Sequence, residues 1–375
     1  MSGPTVAEID LNALRHNLQQ LRRMTGGKAE VLAVVKANAY GHGAPEVTRE
    51  LESAGARIFG VATTEEGIEL RLSGTRAPIL LLARTYPEEF DRIAVNRLTP
   101  VIYDLEIARA FNARAEKERG RLSVHVKIDT GMNRLGIPWR EWKRALEVLG
   151  SLKRLRVEGL LSHFSVAEGT GAEDRAFTRQ QLSRFNRCLD LAARKGIKPR
   201  YVHLANSAAT ILLEPARFIL VRPGLMLYGC HPSPALRDLV PLKPALCWKT
   251  SVLSLRKVLK GDSVSYGRAF RCPKESLIAV LPVGYADGYS RRLSNRGEVL
   301  IGGRRAKIAG IVCMDLTMVD VSEVPGVKVG DEVVLLGRQG AEEITATEMA
   351  GWIESIPYEV LCAIGKRVPR VYRRG

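Results

Sequence analysis

Lys36 directly follows the apolar run Val31-Leu32-Ala33-Val34-Val35 of this 375-residue chain. A lysine in that place is either a cation that snorkels to solvent or an amine held in a partly desolvated pocket. Desolvation lowers an ammonium's pKa and leaves a nucleophile able to form a Schiff base. An isolated lysine would read as the snorkelling cation. Tyr40, His163 and Arg222, each close to the end of an apolar run, turn the reading toward the amine. A second group points to an anion. Asn206-Ser207-Ala208-Ala209 and Arg222-Pro223-Gly224-Leu225 combine a helix-capping hydroxyl at Ser207 with Gly224, where backbone amides can approach a phosphate closely. A plain cap and a tight turn would leave the same trace. A Schiff-base lysine beside a phosphate cradle points to pyridoxal 5′-phosphate.

Other chemistries lack their residues. There is no HExxH, no P-loop and no G-x-S-x-G. Six cysteines (188, 230, 247, 272, 313, 362) lie far apart with no C-x-x-C pair and no histidine cluster, so no metal is expected. They read as reduced thiols of a cytoplasmic protein. Met1-Ser2-Gly3-Pro4-Thr5 has no signal-peptide character, and no apolar run approaches the roughly 18 residues a bilayer requires, so no membrane is expected. Lys and Arg number 57 against 40 Asp and Glu, a net charge of +17. Such a charge fits a polyanion partner or a solvated surface. The cations are spread along the chain, densest at 366–374, without helix-turn-helix, zinc-finger or RNA-binding motifs. A nucleic acid is therefore not expected as partner.

The elements that must position these groups are legible as a row of units. Apolar, β-branched runs at 31–35, 57–62, 78–83, 98–103, 122–129, 156–166, 201–206 and 218–228 alternate with helical patterns such as 104–118, 139–152 and 174–195. Parallel strands need such crossovers, and eight of them close a (β/α)8 TIM-type barrel. Active sites in this architecture lie at the carboxyl ends of the strands, which is where the polar residues fall. Asp10 should cap a helix over 11–24. Near residue 240 prolines break the pattern, and short strands with glycine turns follow at 249–258, 277–283, 298–301, 306–312, 317–320 and 332–336, with a helix near 345–355. The expectation is a barrel domain over 1–240, whose extreme N-terminus can pack on the second domain, and a mostly-β domain over 241–375.

Val34-Val35-Lys36-Ala37-Asn38-Ala39-Tyr40-Gly41-His42-Gly43 resembles the cofactor-lysine signature of bacterial alanine racemases. The resemblance continues through Lys127-Ile128-Asp129-Thr130-Gly131-Met132-Asn133-Arg134-Leu135-Gly136, Ala205-Asn206-Ser207-Ala208-Ala209 and Arg222-Pro223-Gly224-Leu225. In the second half it includes Tyr266-Gly267, Gly284-Tyr285-Ala286-Asp287-Gly288, Cys313-Met314-Asp315 and Ile356-Pro357-Tyr358-Glu359. The family implies a barrel followed by a β domain, and a homodimer whose active site the partner subunit completes. Its substrates would be L-alanine and D-alanine, and D-alanine would serve peptidoglycan.

The resemblance also implies roles. Lys36 would carry pyridoxal phosphate and act as one acid/base, and Tyr266 from the partner as the other. Inversion needs proton removal on one face of the α-carbon and delivery on the other. A free tyrosine titrates near about 10, so Tyr266 would need help from a network through His163, Arg222 and His203. Arg222 would face the pyridine nitrogen and, holding its own proton, leave that nitrogen largely unprotonated. Tyr40, Ser207, Gly224, Leu225 and Tyr358 would hold the phosphate, with Asn206 beside it. Arg134 and the backbone of the partner's Met314 would hold the carboxylate. Lys127 would be either a carbamate that orients Arg134 or an ordinary lysine bonded to a neighbour. Tyr285, Arg291 and Asp315 resemble groups that narrow the substrate corridor.

Serine racemases and broader amino-acid racemases share much of this framework. Decarboxylases of diaminopimelate, ornithine or arginine share the two-domain plan, but are expected to place an acidic residue where Arg222 stands. A non-catalytic nucleic-acid-binding protein would leave the racemase residues without a purpose.

Overall fold

A computed structural model describes residues 3–374. Eight parallel strands, Glu30–Val34, Ile58–Val61, Ile79–Leu81, Leu98–Ile102, Leu122–Asp129, Leu155–Leu161, Tyr201–His203 and Leu220–Val221, pair in chain order. The last returns to pair with the first through Leu220 beside Glu30 and Val221 beside Val31, which closes the barrel. Most residues of these strands are buried whichever face they point to, so most of the strands read as continuous apolar runs instead of alternating ones. Helices fill the crossovers, and some of them start on a side-chain cap. Thr63 Oγ1 accepts the Glu66 amide, and Asp104 Oδ1 accepts those of Glu106 and Ile107.

Three strands end three or more residues short of the sequence expectation. The sixth strand stops at Leu161, the seventh at His203 and the eighth at Val221. Beyond them Phe164, Leu204, Ala205 and Leu225 are still buried, so apolar content continues where pairing does not. Hydrophobicity reports burial, and it cannot mark the residue where a ladder ends. At the eighth strand the cause is local: Pro223 has no amide, and Leu225–Tyr228 coils into a 3-10 turn.

The second sheet contains Leu246–Ser251, Ser254–Val258, Ser276–Leu281, Glu298–Ile301, Arg304–Ile308, Thr317–Asp320, Glu332–Gln339 and Arg370–Arg373. The expected single strand 249–258 is two. At the break, the Val252 amide bonds Asp331 and the Leu253 amide bonds Val280, so the chain changes neighbour within two residues. The expected strand 306–312 is Arg304–Ile308, ended before Gly310, whose φ is +90°. Val6–Asp10 joins this sheet, antiparallel to Leu246–Ser251 and parallel to Arg370–Arg373. Asp10 then caps helix Leu11–Met24, its Oδ1 3.0 Å from the Ala13 amide. One buried apolar cluster runs from the barrel into the sheet, with Phe59 and Trp142 at one end and Trp248 and Tyr289 at the other. Among the described residues no helix is long and apolar enough to cross a membrane.

Candidate active site

Lys36 leaves the first barrel strand at its carboxyl end, and the chain then turns the wrong way. Ala37, Asn38, Ala39 and Tyr40 all have φ of 52–53°, one turn of left-handed helix. For L-residues this costs about 1–2 kcal/mol each, so the surroundings must impose it. Asn38 accepts the amides of Gly43 (2.9 Å, at its carbonyl) and Ala44 (2.8 Å, at Oδ1). Arg370 donates from Nε to the Gly41 carbonyl at 2.9 Å. Gly41 (φ +81°) lies so close to the Leu361 carbonyl that a Cβ there would overlap it. The turn buries the Tyr40 ring between Tyr228 and Tyr358, with ring centroids 4.9 and 5.8 Å away. Its hydroxyl rests against Gly224, leaving no room for a side chain at that position. Burial holds the Tyr40 hydroxyl well above its ordinary range, so it stays a hydrogen-bond donor.

Lys36 is half-buried. Burial, then the Arg134 cation, lowers its pKa, while Glu66 and Cys362 oppose that shift. Lys127, two residues beyond His125 on the fifth strand, is buried, and burial with Arg134 and Arg222 pushes its amine down to about 8.

Arg222 organises the opposite side of the rim. Its Nη1 donates to His203 Nδ1 at 3.0 Å. Its Nη2 faces His163 Nδ1 at 3.1 Å, the Ser162 carbonyl at 2.7 Å and the Leu204 carbonyl at 3.0 Å. Guanidinium only donates, so His203 must accept at Nδ1 and carry its proton on Nε2. That proton goes to His125 Nδ1, 2.8 Å away. The relay Arg222–His203–His125 thus has one direction and neutral imidazoles. Burial and the Arg222 charge lower all three histidines, His125 to about 3. Burial brings Arg222 itself down to about 10, which still leaves it charged at neutral pH.

The hydroxyl expected to cap the helix Ser207–Leu212 does something else. Asn206 is the cap, with Oδ1 3.0 Å from the Ala209 amide, and Ser207 Oγ instead accepts the Gly224 amide at 3.2 Å. The seventh and eighth strand ends are thereby joined beside Tyr40, with Leu225 buried behind them.

Models of the alanine racemase N-terminal and C-terminal domains match residues 9–232 and 245–372. The chain belongs to the alanine racemase family. It is therefore an enzyme, an isomerase. Alanine racemases of Geobacter sulfurreducens and Carboxydothermus hydrogenoformans are 47% and 48% identical to it, across 99% and 98% of this chain and 97% and 99% of theirs. An alanine racemase structure from Clostridium difficile superposes with a TM-score of 0.93 at 36% identity, covering 100% of this chain and 97% of that one. One from Bacillus anthracis, described with bound L-Ala-P, gives 0.93 at 35%, covering 100% and 96%.

Within one racemase chain, Lys36, Tyr40, Lys127, His163, His203, Asn206, Ser207, Arg222, Gly224, Leu225 and Tyr358 gather at the barrel rim, with the exposed Arg134 acting on Lys36, Lys127 and His163. Tyr266, Tyr285, Arg291, Met314 and Asp315 do not join them. Among the described residues no hydrogen bond or ion pair links these five to the rim, and Tyr266 and Met314 are 72% and 53% exposed. Most of the second group shares a patch of its own. Ser265 Oγ bonds the Ile311 carbonyl at 2.7 Å, and the Tyr285 and Ala286 amides bond the carbonyls of Cys313 and Met314, both at 3.0 Å. Asp315 is held by Arg367 at 2.9 Å. His125, Glu66 and Arg370 escaped the sequence reading. His125 could have been found, since strand period two places it on the face that carries Lys127. Nothing local marks the other two.

Proposed function

We propose that this enzyme interconverts L- and D-alanine with pyridoxal 5′-phosphate as cofactor, using Lys36 and the Tyr266 of a second copy as acid/base groups on opposite faces of the α-carbon. The observation that carries the reading is a depressed amine at Lys36 on the same rim where Tyr40, Ser207 and Gly224 meet. There a Cβ on Gly224 would fill the space beside Tyr40, and Ser207 accepts the Gly224 amide. These residues suit a cofactor with one aldehyde and one phosphate. When bound, the cofactor withdraws electrons from the α-carbon and makes its proton removable.

The chain's own groups then divide the work. Tyr40, Ser207, Gly224, Leu225 and Tyr358 hold the phosphate, with Asn206 fixing the helix that presents Ser207. Arg222, positioned by His203, His163 and two carbonyls, would lie against the ring nitrogen and, charged at neutral pH, would keep its own proton. Arg134 and the second copy's Met314 backbone take the substrate carboxylate, and Tyr285, Arg291 and Asp315 narrow the approach. The exposed patch of Tyr266, Tyr285 and Met314 supports a homodimer, since large apolar groups gathered at a surface mark an interface. A cytoplasmic enzyme supplying D-alanine to peptidoglycan fits this activity. The Clostridium difficile racemase is described in complex with cycloserine, and cycloserine should compete with alanine here as well.

The test is proton NMR of L-alanine in D2O with enzyme and cofactor, followed by chiral analysis. Loss of the α-proton signal with appearance of D-alanine is expected, and Lys36→Ala should abolish both. An intact α-proton in protein whose Lys36 holds the cofactor would sink the alanine assignment and point to serine or larger amino acids.

A further inference from the structure

Glu66 has no part in the roles above, yet it touches the segment on which they depend. It lies in the first turn of helix Thr64–Leu72, where Thr63 caps its amide. Its two carboxylate oxygens take two backbone amides from two different strand ends. Oε1 accepts from Ala37 at 2.7 Å, and Oε2 accepts from Ala62 at 2.6 Å. Ala37 opens the left-handed turn, where an amide has no partner within the turn itself. Ala62 follows the second barrel strand. One carboxylate thus fastens the residue after Lys36 to the neighbouring strand, through charge-assisted bonds of the stronger kind.

We propose that Glu66 is the positioning residue for Lys36: it pins the left-handed turn that carries the lysine and sets a negative charge facing the amine. The inference rests on the reading of Lys36 as the cofactor lysine and adds to it. Lys36 is faced by Arg134, Lys127 and His163 from neighbouring strand ends, by Cys362 from helix Pro357–Ala363, and by Glu66. Cations prevail among these groups, and the Glu66 carboxylate, ahead of Cys362, limits how far the amine is depressed. Removing its charge leaves the ammonium less favoured, and Lys36 then loses its proton at lower pH.

The experiment compares Glu66→Gln with the parent and with Glu65→Gln, an exposed neighbour that pairs with Arg92. Lys36 is titrated in cofactor-free protein by competitive reductive methylation, read by peptide mass spectrometry across a pH series. Alanine kcat and KM are measured on the holoenzyme. In Glu66→Gln, Lys36 should label at distinctly lower pH and kcat should fall about tenfold, with KM within about threefold. Glu65→Gln should match the parent in both. A Lys36 titration curve that does not move in Glu66→Gln overturns the proposal, whatever the rate does. If Glu66→Gln does not fold, Glu66→Asp decides. Keeping the charge but losing reach, it should lower kcat while Lys36 titrates as in the parent, and an unchanged kcat overturns the clamp. The labelling curve needs no turnover, so it remains decisive even if alanine is not the substrate.

Discussion

At the scale of single residues, burial does most of the chemistry. Lys127 sits among the cations of Arg134 and Arg222 with its amine pushed down to about 8. A neutral amine adds CO2 to give a carbamate and one proton, and the product's negative charge would face those arginines. Equilibrating the enzyme with 13C-bicarbonate above about pH 8 should therefore give a carbamate resonance that is absent from Lys127→Ala and fades in acid. His42 is fully buried. Its Nδ1 lies 2.9 Å from the Tyr40 carbonyl, Nε2 has no partner, and burial lowers it from 6.5 to about 4. As pH falls through 6.5 the unfolded chain takes up a proton that the folded one refuses. Stability contributed above 6.5 is lost on the way down to about 4, on the order of 3 kcal/mol. His42→Gln, which keeps a donor for Tyr40, should show a shallower fall in Tm between pH 7 and 4.

At the scale of elements, the left-handed turn and the two closing loops behave as one assembly. The turn is held by Glu66 from one helix and by Arg370 from the last strand, whose guanidinium also donates to the carbonyls of Ile364, Gly365 and Val368. The seventh and eighth strand ends meet it where Tyr40 touches Gly224. Gly224→Ala must push the Tyr40 hydroxyl aside. Cofactor affinity should fall by tenfold or more, about 1.4 kcal/mol, and Tm should fall as well because the Tyr40 ring that must shift is buried in the core. Absorbance titration of cofactor-free protein checks this, and an unchanged affinity would remove Tyr40 and Gly224 from the phosphate site.

At the scale of the whole molecule, charge and exposure point in different directions. The densest basic run, 366–374, is largely committed within the chain. Arg367 pairs with Asp287 and Asp315, Arg373 with Glu8 and Arg374 with Glu50, so little of that run is left for a polyanion. The uncovered feature is instead the Tyr266, Tyr285 and Met314 patch, which among the described residues shares no hydrogen bond or ion pair with the rim of its own chain. A site built from Lys36 of one copy and Tyr266 of another makes a distinctive prediction. Lys36→Ala and Tyr266→Phe chains, each inactive alone, should regain activity when denatured and refolded together. The hybrid dimer has one intact site, so random pairing gives about a quarter of the parent's rate. No recovery would place both residues in one chain's site.

The fold class and the rim were legible in the order of residues alone. Strand period, helix period and caps are local properties, and the apolar runs ending in Lys36, Lys127, His203 and Arg222 are contiguous in the chain. They were readable for that reason. The strand ends were not, because Leu204 and Leu225 are as buried as the paired residues before them. Ser207 was misread as a cap because Asn206, one residue earlier, captures the helix, which frees the hydroxyl for Gly224. Tertiary structure alone decided the left-handed turn, since neither Ala nor Tyr favours it and the groups that impose it come from residues 66 and 370. It alone decided the direction of the Arg222–His203–His125 relay, because hydrogen-bond polarity depends on which donors meet in space. It also decided how Val6–Asp10, expected to pack on the second domain, enters that sheet as a strand, since its partners lie more than 230 residues away along the chain.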